Sequence, residues 1–181
     1  LARVHIPTAL LHTGLRGSSL SHALAECNVQ AIIFDHGSAE RLAPAAAKRT
    51  DCRFYLLFSL ECVSDSVTSP ALPTWALPMI LPDVARVDWD ALPAPATTRA
   101  TDPLVFIFTS GTTGMPKAAK LTHVRFFSAI VITYMFDLNS NDRLYCCLPM
   151  CHTAAFGAVS LCWWLGIPLI LAKSFSASRF W

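Results

Sequence analysis

One stretch of the sequence restricts the possible folds more than any other. From Leu144 to Ala172 there is no Asp, Glu, Lys or Arg, and an apolar stretch of this length is typical of a transmembrane helix. The same stretch contains Gly166 and Pro168, which would end a helix after Leu165. The residues that follow, Ile167 to Ala172, have the pattern of a short buried strand. The sequence therefore favours a buried strand–helix–strand unit over a membrane span.

The composition excludes several classes of protein. Charged residues make up 14% of the 181 residues and hydrophobic residues 54%, whereas an average domain has about 25% charged residues. So apolar a chain is not disordered as a whole, and its length allows one domain with its own core. The net charge is +2 and the basic residues are scattered, so the sequence contains no stripe typical of nucleic-acid binding.

Helices alternate with apolar strands along most of the chain. We predict strands at Ala31–Phe34, Phe54–Phe58, Val105–Phe108, Leu144–Leu148 and Leu169–Leu171. We predict helices at Ser18–Cys27, Ser38–Lys48, Ala119–Phe136 and Thr153–Leu165. Because such alternation is typical of parallel sheets covered on both faces, the predicted fold class is α/β, with one parallel sheet flanked by helices.

Two regions need separate predictions. Six prolines fall between Ser59 and Asp102, where no hydrophobic period is sustained, so we predict a long Pro-rich surface excursion over residues 59–102.

Trp163 and Trp164 are neighbours in the predicted helix Thr153–Leu165. Adjacent helical residues do not face one groove, so we predict that these two residues belong to the core.

The cysteines are interpreted as structural. The chain has seven, an odd number, and no pair has the two-residue spacing of a zinc or redox motif. They are predicted to be reduced, mostly buried thiols of an intracellular protein. The one cluster to test as a metal site is Cys146, Cys147, Cys151 and His152. Adjacent residues of a strand point to opposite faces, so metal binding by this cluster is disfavoured.

The segment from Phe106 to Lys117 reads FIFTSGTTGMPK and has the features of an anion-binding loop. The loop follows a buried strand, and ligands bind at the carboxyl ends of strands in open parallel sheets. Glycines let the backbone N–H groups approach a phosphate, while hydroxyl groups and a terminal lysine add donors. The predicted binding residues for the β- and γ-phosphates of a nucleotide are Thr109, Ser110, Gly111, Thr112, Thr113, Gly114 and Lys117.

This loop differs from the P-loop of GTPases and many kinases. In the P-loop, four residues separate the glycines and a Ser or Thr follows the lysine. Here two residues separate Gly111 from Gly114, and Ala118 follows Lys117. A hydroxyl group that could bind a metal ion after the lysine is therefore missing, and we disfavour a GTPase or kinase.

Two motifs resemble those of the adenylate-forming, or AMP-binding, superfamily. TSGTTGMPK is similar to the phosphate-loop signature of acyl-CoA synthetases, luciferases and peptide-synthetase adenylation domains. LPMCHTAAFG, from Leu148 to Gly157, resembles the next motif of the superfamily, a Leu-Pro pair followed by His. The resemblance implies that His152 occupies the position of the motif histidine.

Other segments resemble one family within that superfamily, the fatty acid transport proteins and very-long-chain acyl-CoA synthetases. They are FSASRFW at Phe175–Trp181, GLRGSSLSHAL at Gly14–Leu24, and Ala118 with Ala119 after the loop. The resemblance covers most of the chain and is weakest from Ser59 to Ala100.

The resemblance implies a two-step reaction. A fatty acid carboxylate attacks the α-phosphate of ATP, giving acyl-adenylate and pyrophosphate, and coenzyme A then displaces AMP. The loop with Lys117 would hold the departing phosphates together with Mg²⁺. His152 would lie near the carboxylate, beside the strand that leads into the loop. Cys151 stands where the family usually has an aromatic residue. The gating role that the family assigns to that position is therefore not carried over to Cys151.

The resemblance also implies that residues 1–181 are an incomplete part of the large N-terminal domain, without the C-terminal domain. The chain begins at Leu1 rather than Met and stops at Trp181, so we interpret both ends as cuts. The family's groups for Mg²⁺ and ribose, its hinge and its C-terminal lysine would lie beyond Trp181. We therefore predict that this chain alone is inactive.

Two alternative functions remain at this point. The parent could be a membrane-associated fatty acid uptake protein with little catalysis, or a non-catalytic, truncated paralogue. The intact phosphate loop favours ATP chemistry over the uptake protein, whereas Cys151 and the end at Trp181 leave the paralogue open. The resemblance implies an intracellular parent associated with the endoplasmic reticulum, peroxisome or plasma membrane, and no nucleic-acid partner.

Overall fold

The computed structural model describes residues 6–58, 71–80, 88, 91, 97–109, 114–172 and 174–179. The chain divides into two compact units, one of Thr13–Pro93 and the other of Leu1–His12 with Ala94–Trp181. The elements in chain order are β1 Thr8–Leu10, α1 Gly17–Glu26, β2 Ala31–Phe34, α2 Ala39–Ala46, β3 Arg53–Phe58, β4 Leu77–Ile80, β5 Pro103–Thr109, β6 Lys117–Thr122, α3 His123–Phe127, α4 Val131–Met135, β7 Leu144–Cys146, α5 Thr153–Leu165 and β8 Leu169–Leu171.

The unit Thr13–Pro93 contains a fully parallel sheet in the order β2-β3-β4. Side chains alternate along β2 and β3, so that Phe34, Phe54 and Leu56 are buried. Trp75 stacks on Phe34 with ring centroids 5.4 Å apart and meets Phe54 edge-on at 5.5 Å. These aromatic contacts fix the segment before β4 against the sheet.

The strand β4 corrects the prediction for residues 59–102. Leu77–Ile80 lies within the predicted Pro-rich excursion, yet it pairs in parallel with β3, from Tyr55 with Leu77 to Phe58 with Ile80. Pro78 has no N–H to donate to a ladder, and prolines in sheets are confined mostly to edge strands. Because β4 is the edge strand of this sheet, its proline is tolerated. Most of the remaining excursion lies outside the described residues.

Arg49 connects several elements of this unit. Its guanidinium donates hydrogen bonds to the carbonyl of Leu24 at 3.0 Å and to that of Val29 at 2.8 Å. It also forms an ion pair with Asp51 at 2.9 Å, and this hydrogen bond lowers the pKa of the exposed Asp51 carboxyl. One half-buried cation therefore ties the end of α1, the start of β2 and the turn before β3 together.

Replacing Arg49 with Ala is expected to lower the free energy of unfolding by about 2–3 kcal/mol. The variant would leave the carbonyl oxygens of Leu24 and Val29 without their charged donor, and hydrogen bonds to charged groups contribute about 1.5–3 kcal/mol each. The exposed pair with Asp51 adds little. Urea unfolding would measure the change. Arg53→Ala, at an exposed position of β3, is the matched control, and an equal loss in both variants would contradict the assignment.

The other unit contains a mixed sheet in the order β1-β5-β6. β1 pairs with β5 in parallel, whereas β5 pairs with β6 in antiparallel orientation. Val105, Ile107 and Leu121 form the buried core of this sheet, and Leu10 and Phe156 pack against it. The strand β5, predicted at Val105–Phe108, is therefore confirmed and is slightly longer than predicted.

The predicted helix Ala119–Phe136 is wrong in its first part. Residues up to Thr122 form β6, and the helical region is divided into α3, the 3-10 turn Ser128–Ile130 and α4. Ala, Lys and Leu favour helix locally, but pairing with the buried strand β5 outweighs that weak preference. Thr122 marks the change, because its side chain accepts a hydrogen bond from the Arg125 N–H at 3.3 Å and caps α3.

The strand–helix–strand unit is confirmed. β7 pairs with β8 in parallel, and α5 spans the predicted residues Thr153–Leu165. Gly166 ends α5 in the left-handed conformation, with φ of 66°, as expected for a glycine that follows a helix. β7 ends at Cys146, before the predicted Leu148. No helix among the described residues is long and apolar enough to cross a membrane.

The sheet arrangement differs from the single parallel sheet that the sequence predicts. All five predicted strands are present, but the described strands form two three-stranded sheets and one two-stranded sheet. The α/β fold class, with parallel strands and flanking helices, is confirmed. The periodicity of each strand identifies the strand itself, whereas its partner depends on contacts between residues far apart in the chain.

The prediction that Trp163 and Trp164 belong to the core is wrong for this chain. Their side chains are 67% and 53% exposed. The ring of Trp163 lies near those of Phe126 and Phe127, with centroids 6.4 and 6.0 Å apart. The helix α5 is apolar on all sides, which is typical of a helix that is buried on all sides. In this structure, the described residues pack against only part of its surface.

Candidate functional site

The predicted phosphate loop lies at the end of a β-hairpin. Thr109 is the last residue of β5, Lys117 is the first of β6, and the two are paired across the strands. Directly opposite residues of an antiparallel pair project from the same face, with Cβ atoms about 4.5–5.5 Å apart. The hairpin therefore brings the first hydroxyl group and the lysine of the motif together. The expected strand–loop–helix order is corrected to strand–loop–strand.

The middle of the motif is described only in part. Ser110, Gly111, Thr112 and Thr113 lie outside the described residues. Gly114 has φ of 84°, and apart from its chain neighbours no atom of the described residues lies within 4 Å of the position that a Cβ would take. A side chain at this position would strain the backbone. The backbone conformation at residue 114 therefore depends on the conformational freedom of glycine.

The loop is attached to a rigid support. Val105 and Ile107 of β5 are 2% and 1% exposed, whereas Thr109 and Lys117 are exposed. β1 runs parallel to β5 with Leu10 opposite Ile107, so the carboxyl ends of both strands lie at the same edge of the sheet. Ligands bind at this type of edge in open α/β sheets. The two ends of the loop therefore have a fixed separation and accessible side chains.

His152 has a local structural role that the sequence prediction missed. It is the N-cap residue of α5, and its Nδ1 accepts a hydrogen bond from the Ala154 N–H at 3.2 Å. In the neutral ring, the proton is then carried by Nε2, which can donate a hydrogen bond. Ser, Thr, Asp and Asn are the usual N-cap residues, so a histidine before Thr153 gives only a weak capping signal.

The structure shows no direct bond between His152 and the described ends of the phosphate loop. Within the described part of the chain, no hydrogen bond or ion pair joins His152 to Thr109 or Lys117. The strand before His152 is β7, whose described partner is β8 rather than β5. The placement of His152 beside the strand that feeds the loop stays a prediction.

The cysteines near His152 do not form an evident reactive or metal centre. Burial raises the pKa of the Cys151 thiol, and burial with a repulsive contribution from Cys146 raises that of Cys162. A thiol with a raised pKa is a poor nucleophile at neutral pH. The six cysteines that the structure describes are free. Among those described residues, no three His, Cys, Asp or Glu side chains are grouped as metal ligands.

The family of the chain follows from a match over its whole length. Residues 1–181 match the family model described as AMP-binding enzyme. The chain therefore belongs to the AMP-binding enzyme family, which confirms the resemblance carried by the loop motif.

The curated relatives narrow this similarity. The chain is 34% identical over 186 residues to Long-chain fatty acid transport protein 5 of Mus musculus, covering 100% of this chain and 25% of that protein. It is 31% identical over 190 residues to Long-chain fatty acid transport protein 1 of Rattus norvegicus, covering 100% of this chain and 27% of that protein. The chain thus spans about a quarter of the length of these relatives.

Solved structures support the fold. The N-terminal domain of FACL13 from Mycobacterium tuberculosis is similar with a TM-score of 0.62 and 24% identity, over 96% of this chain and 39% of that one. At these identities the likeness concerns the fold alone. The chain has the fold of an incomplete part of the N-terminal domain of an adenylate-forming enzyme.

Proposed function

We propose that this chain is part of an ATP-dependent ligase that converts a long- or very-long-chain fatty acid to its acyl-CoA. The observation that carries the proposal is the hairpin that pairs Thr109 with Lys117 around the TSGTTGMPK motif. A hydroxyl group and a cation at the two ends of a Gly-rich loop suit the phosphates of a nucleotide. Membership of the AMP-binding enzyme family supports the same class of ligand.

One similarity supports a fatty acid as the second substrate. The curated relatives bear the name Long-chain fatty acid transport protein. The protein named Mycobacterium tuberculosis fatty acyl CoA synthetase, with a TM-score of 0.63 and 23% identity over 97% of this chain and 31% of that one, supports the fold alone. The proposed substrates are therefore a fatty acid, ATP and coenzyme A.

The proposed roles of the residues follow from their chemistry. The loop from Thr109 to Gly114 would bind the β- and γ-phosphates, and Lys117 would stabilise the charge that develops on pyrophosphate as it leaves. His152 would orient the fatty acid carboxylate through the Nε2 proton. Mg²⁺ is proposed as a partner of the ATP phosphates, since Mg²⁺ at such sites is held largely by substrate phosphates and water.

The proposal is tested by comparing the full-length parent with this chain. The purified parent is expected to release AMP and form acyl-CoA from ATP, coenzyme A and a long-chain acid, and to exchange pyrophosphate into ATP when the acid is present. The chain alone is expected to do neither, because it spans only a quarter of the length of its relatives. Release of AMP by the chain alone would overturn the second expectation.

A second candidate function is fatty acid uptake at a membrane with little catalysis. The name of the curated relatives, transport protein, favours it. Acid-dependent pyrophosphate exchange separates the two, since uptake alone needs no adenylate. A parent that takes up fatty acid without exchange would support this candidate or a non-catalytic paralogue. We keep the intracellular, membrane-associated location of the parent as a prediction.

A further inference from the structure

A second cationic site lies in the unit Thr13–Pro93, apart from the phosphate loop. A cleft of roughly 460 Å³ is lined by Arg16, Gly37, Glu40 and Arg41. Arg16 directly precedes α1, Gly37 lies in the 3-10 turn His36–Ser38, and the other two residues belong to α2. Three short elements of one unit therefore bring two arginines to the same concave surface.

The two guanidinium groups converge on one acceptor. Arg16 Nη1 and Arg41 Nη1 both donate to the carbonyl oxygen of Thr13, at 2.9 and 2.7 Å. Arg41 Nη2 also donates to the carbonyl of Gly37 at 2.7 Å and to the Ser38 hydroxyl at 3.0 Å. These acceptors are neutral, so two like charges lie close together without being neutralised.

Among the residues that the structure describes, neither arginine forms an ion pair with a carboxylate. Within the described ranges the only ion pair is that of Arg49 with Asp51, so Glu40 lines the cleft without lying within 4 Å of either guanidinium nitrogen. Arg16 uses only Nη1 for its bonds to the carbonyls of Thr13 and Leu15. Its Nε and Nη2 groups keep donors for a ligand in the forked geometry that suits oxyanions.

We propose that this cleft binds a phosphate group. A tetrahedral oxyanion has enough acceptor oxygens to bridge both arginines, and its two negative charges would balance the two guanidinium groups. Glu40 repels a doubly charged anion more than a singly charged one, so the preference for phosphate rests on the match of its two charges to two guanidinium groups. The site does not depend on the proposed ligase activity, because all its residues lie in Thr13–Pro93.

Hydrogen–deuterium exchange of the complete 181-residue chain tests the proposal. The Lys117→Ala variant serves as the background, so that binding at the phosphate loop is weakened. Inorganic phosphate is expected to slow backbone exchange saturably in residues 13–20 and 36–42. Arg16→Gln is expected to raise the half-saturating concentration about tenfold through loss of charge-assisted hydrogen bonds. Arg41 joins Thr13 to Gly37 and Ser38, whereas Arg16 bonds only to the carbonyls of Thr13 and Leu15 beside it in the chain, so Arg16 is the better position to change.

Two variants and a second ligand sharpen the test. Arg53→Gln, exposed on β3, is the matched control and should leave the half-saturating concentration unchanged, whereas Glu40→Gln should lower it. AMP distinguishes the source of the phosphate: protection at lower concentrations than with inorganic phosphate would identify a phosphate carried on a nucleoside. Absence of saturable protection, or an equal response in Arg16→Gln and Arg53→Gln, would mean that the arginines only hold the Thr13 segment.

Discussion

Replacing Lys117 with Ala in the full-length parent is expected to slow adenylate formation or weaken ATP binding by about 2–3 kcal/mol, the range of a charge-assisted hydrogen bond in a partly dry site. The lysine is paired with Thr109 at the mouth of the loop, where it would meet the terminal phosphates. Pyrophosphate exchange driven by a long-chain acid measures the loss at several ATP concentrations.

The same strand provides a matched control for that variant. Lys120 is also exposed on β6, but it pairs with Phe106. Because it lies three residues along the strand, it projects from the opposite face of the sheet. Lys120→Ala should leave exchange almost unchanged. Unchanged exchange in Lys117→Ala, or an equal loss in both variants, would remove Lys117 from the nucleotide site.

The second large effect is expected at His152. In the full-length parent, His152→Ala should lower adenylation about 100-fold, the loss that a misplacement of about 1 Å produces in a positioned reactant. ATP binding should fall much less, because the proposed phosphate contacts lie in the loop from Thr109 to Lys117. Measuring pyrophosphate exchange together with the dissociation constant of ATP separates these two quantities.

The capping role of His152 requires a second variant. Its Nδ1 caps α5 through the Ala154 N–H, so His152→Ala should also lower stability by about 1 kcal/mol. His152→Ser keeps a capping acceptor but removes the imidazole ring. If both variants lose adenylation while Ser retains stability, the ring acts on the substrate. If Ser restores adenylation, His152 serves only to cap the helix.

The parts of the fold that were predicted correctly have strong local signals. Gly166 and Pro168 limit α5 within the uncharged stretch, and the helix ends where those residues require. A buried strand before a Gly-rich loop likewise located β5. In each case the relevant information lies within a few neighbouring residues, so the sequence alone is sufficient.

The parts that were missed depend on distant contacts. β6 has a composition that favours helix, and only its pairing with β5 makes it a strand. β4 contains Pro78 and is extended because it completes the edge of a sheet beside β3. Trp163 and Trp164 were missed for the same reason. The apolar character of a side chain predicts that it is buried, but not which distant residues would pack against it.

The sequence predicts the residue types of the candidate site, and the structure supplies part of their arrangement. The Thr, Gly and Lys pattern identified a loop at a strand end, and the structure adds that the loop closes a hairpin. The N-cap role of His152 has almost no sequence signal. The arginines Arg16 and Arg41 are 25 positions apart in the sequence, so their approach to one carbonyl oxygen could not be predicted from spacing.

Thr109 and Lys117 mark the boundary between the strands β5 and β6 and the loop that they carry. The strands and the proposed nucleotide-binding residues of the loop can therefore change independently in evolution. The flanking strands are held by the buried Val105, Ile107 and Leu121, and none of these belongs to the loop. A one-residue deletion within β6 would turn Leu121 to the other face and disrupt the core. Changes in loop length would alter closure entropy only slightly, and among the described loop residues only Gly114 has a backbone conformation that a side chain would strain. Descendants of such a sequence could therefore lose nucleotide binding through loop substitutions and still fold normally.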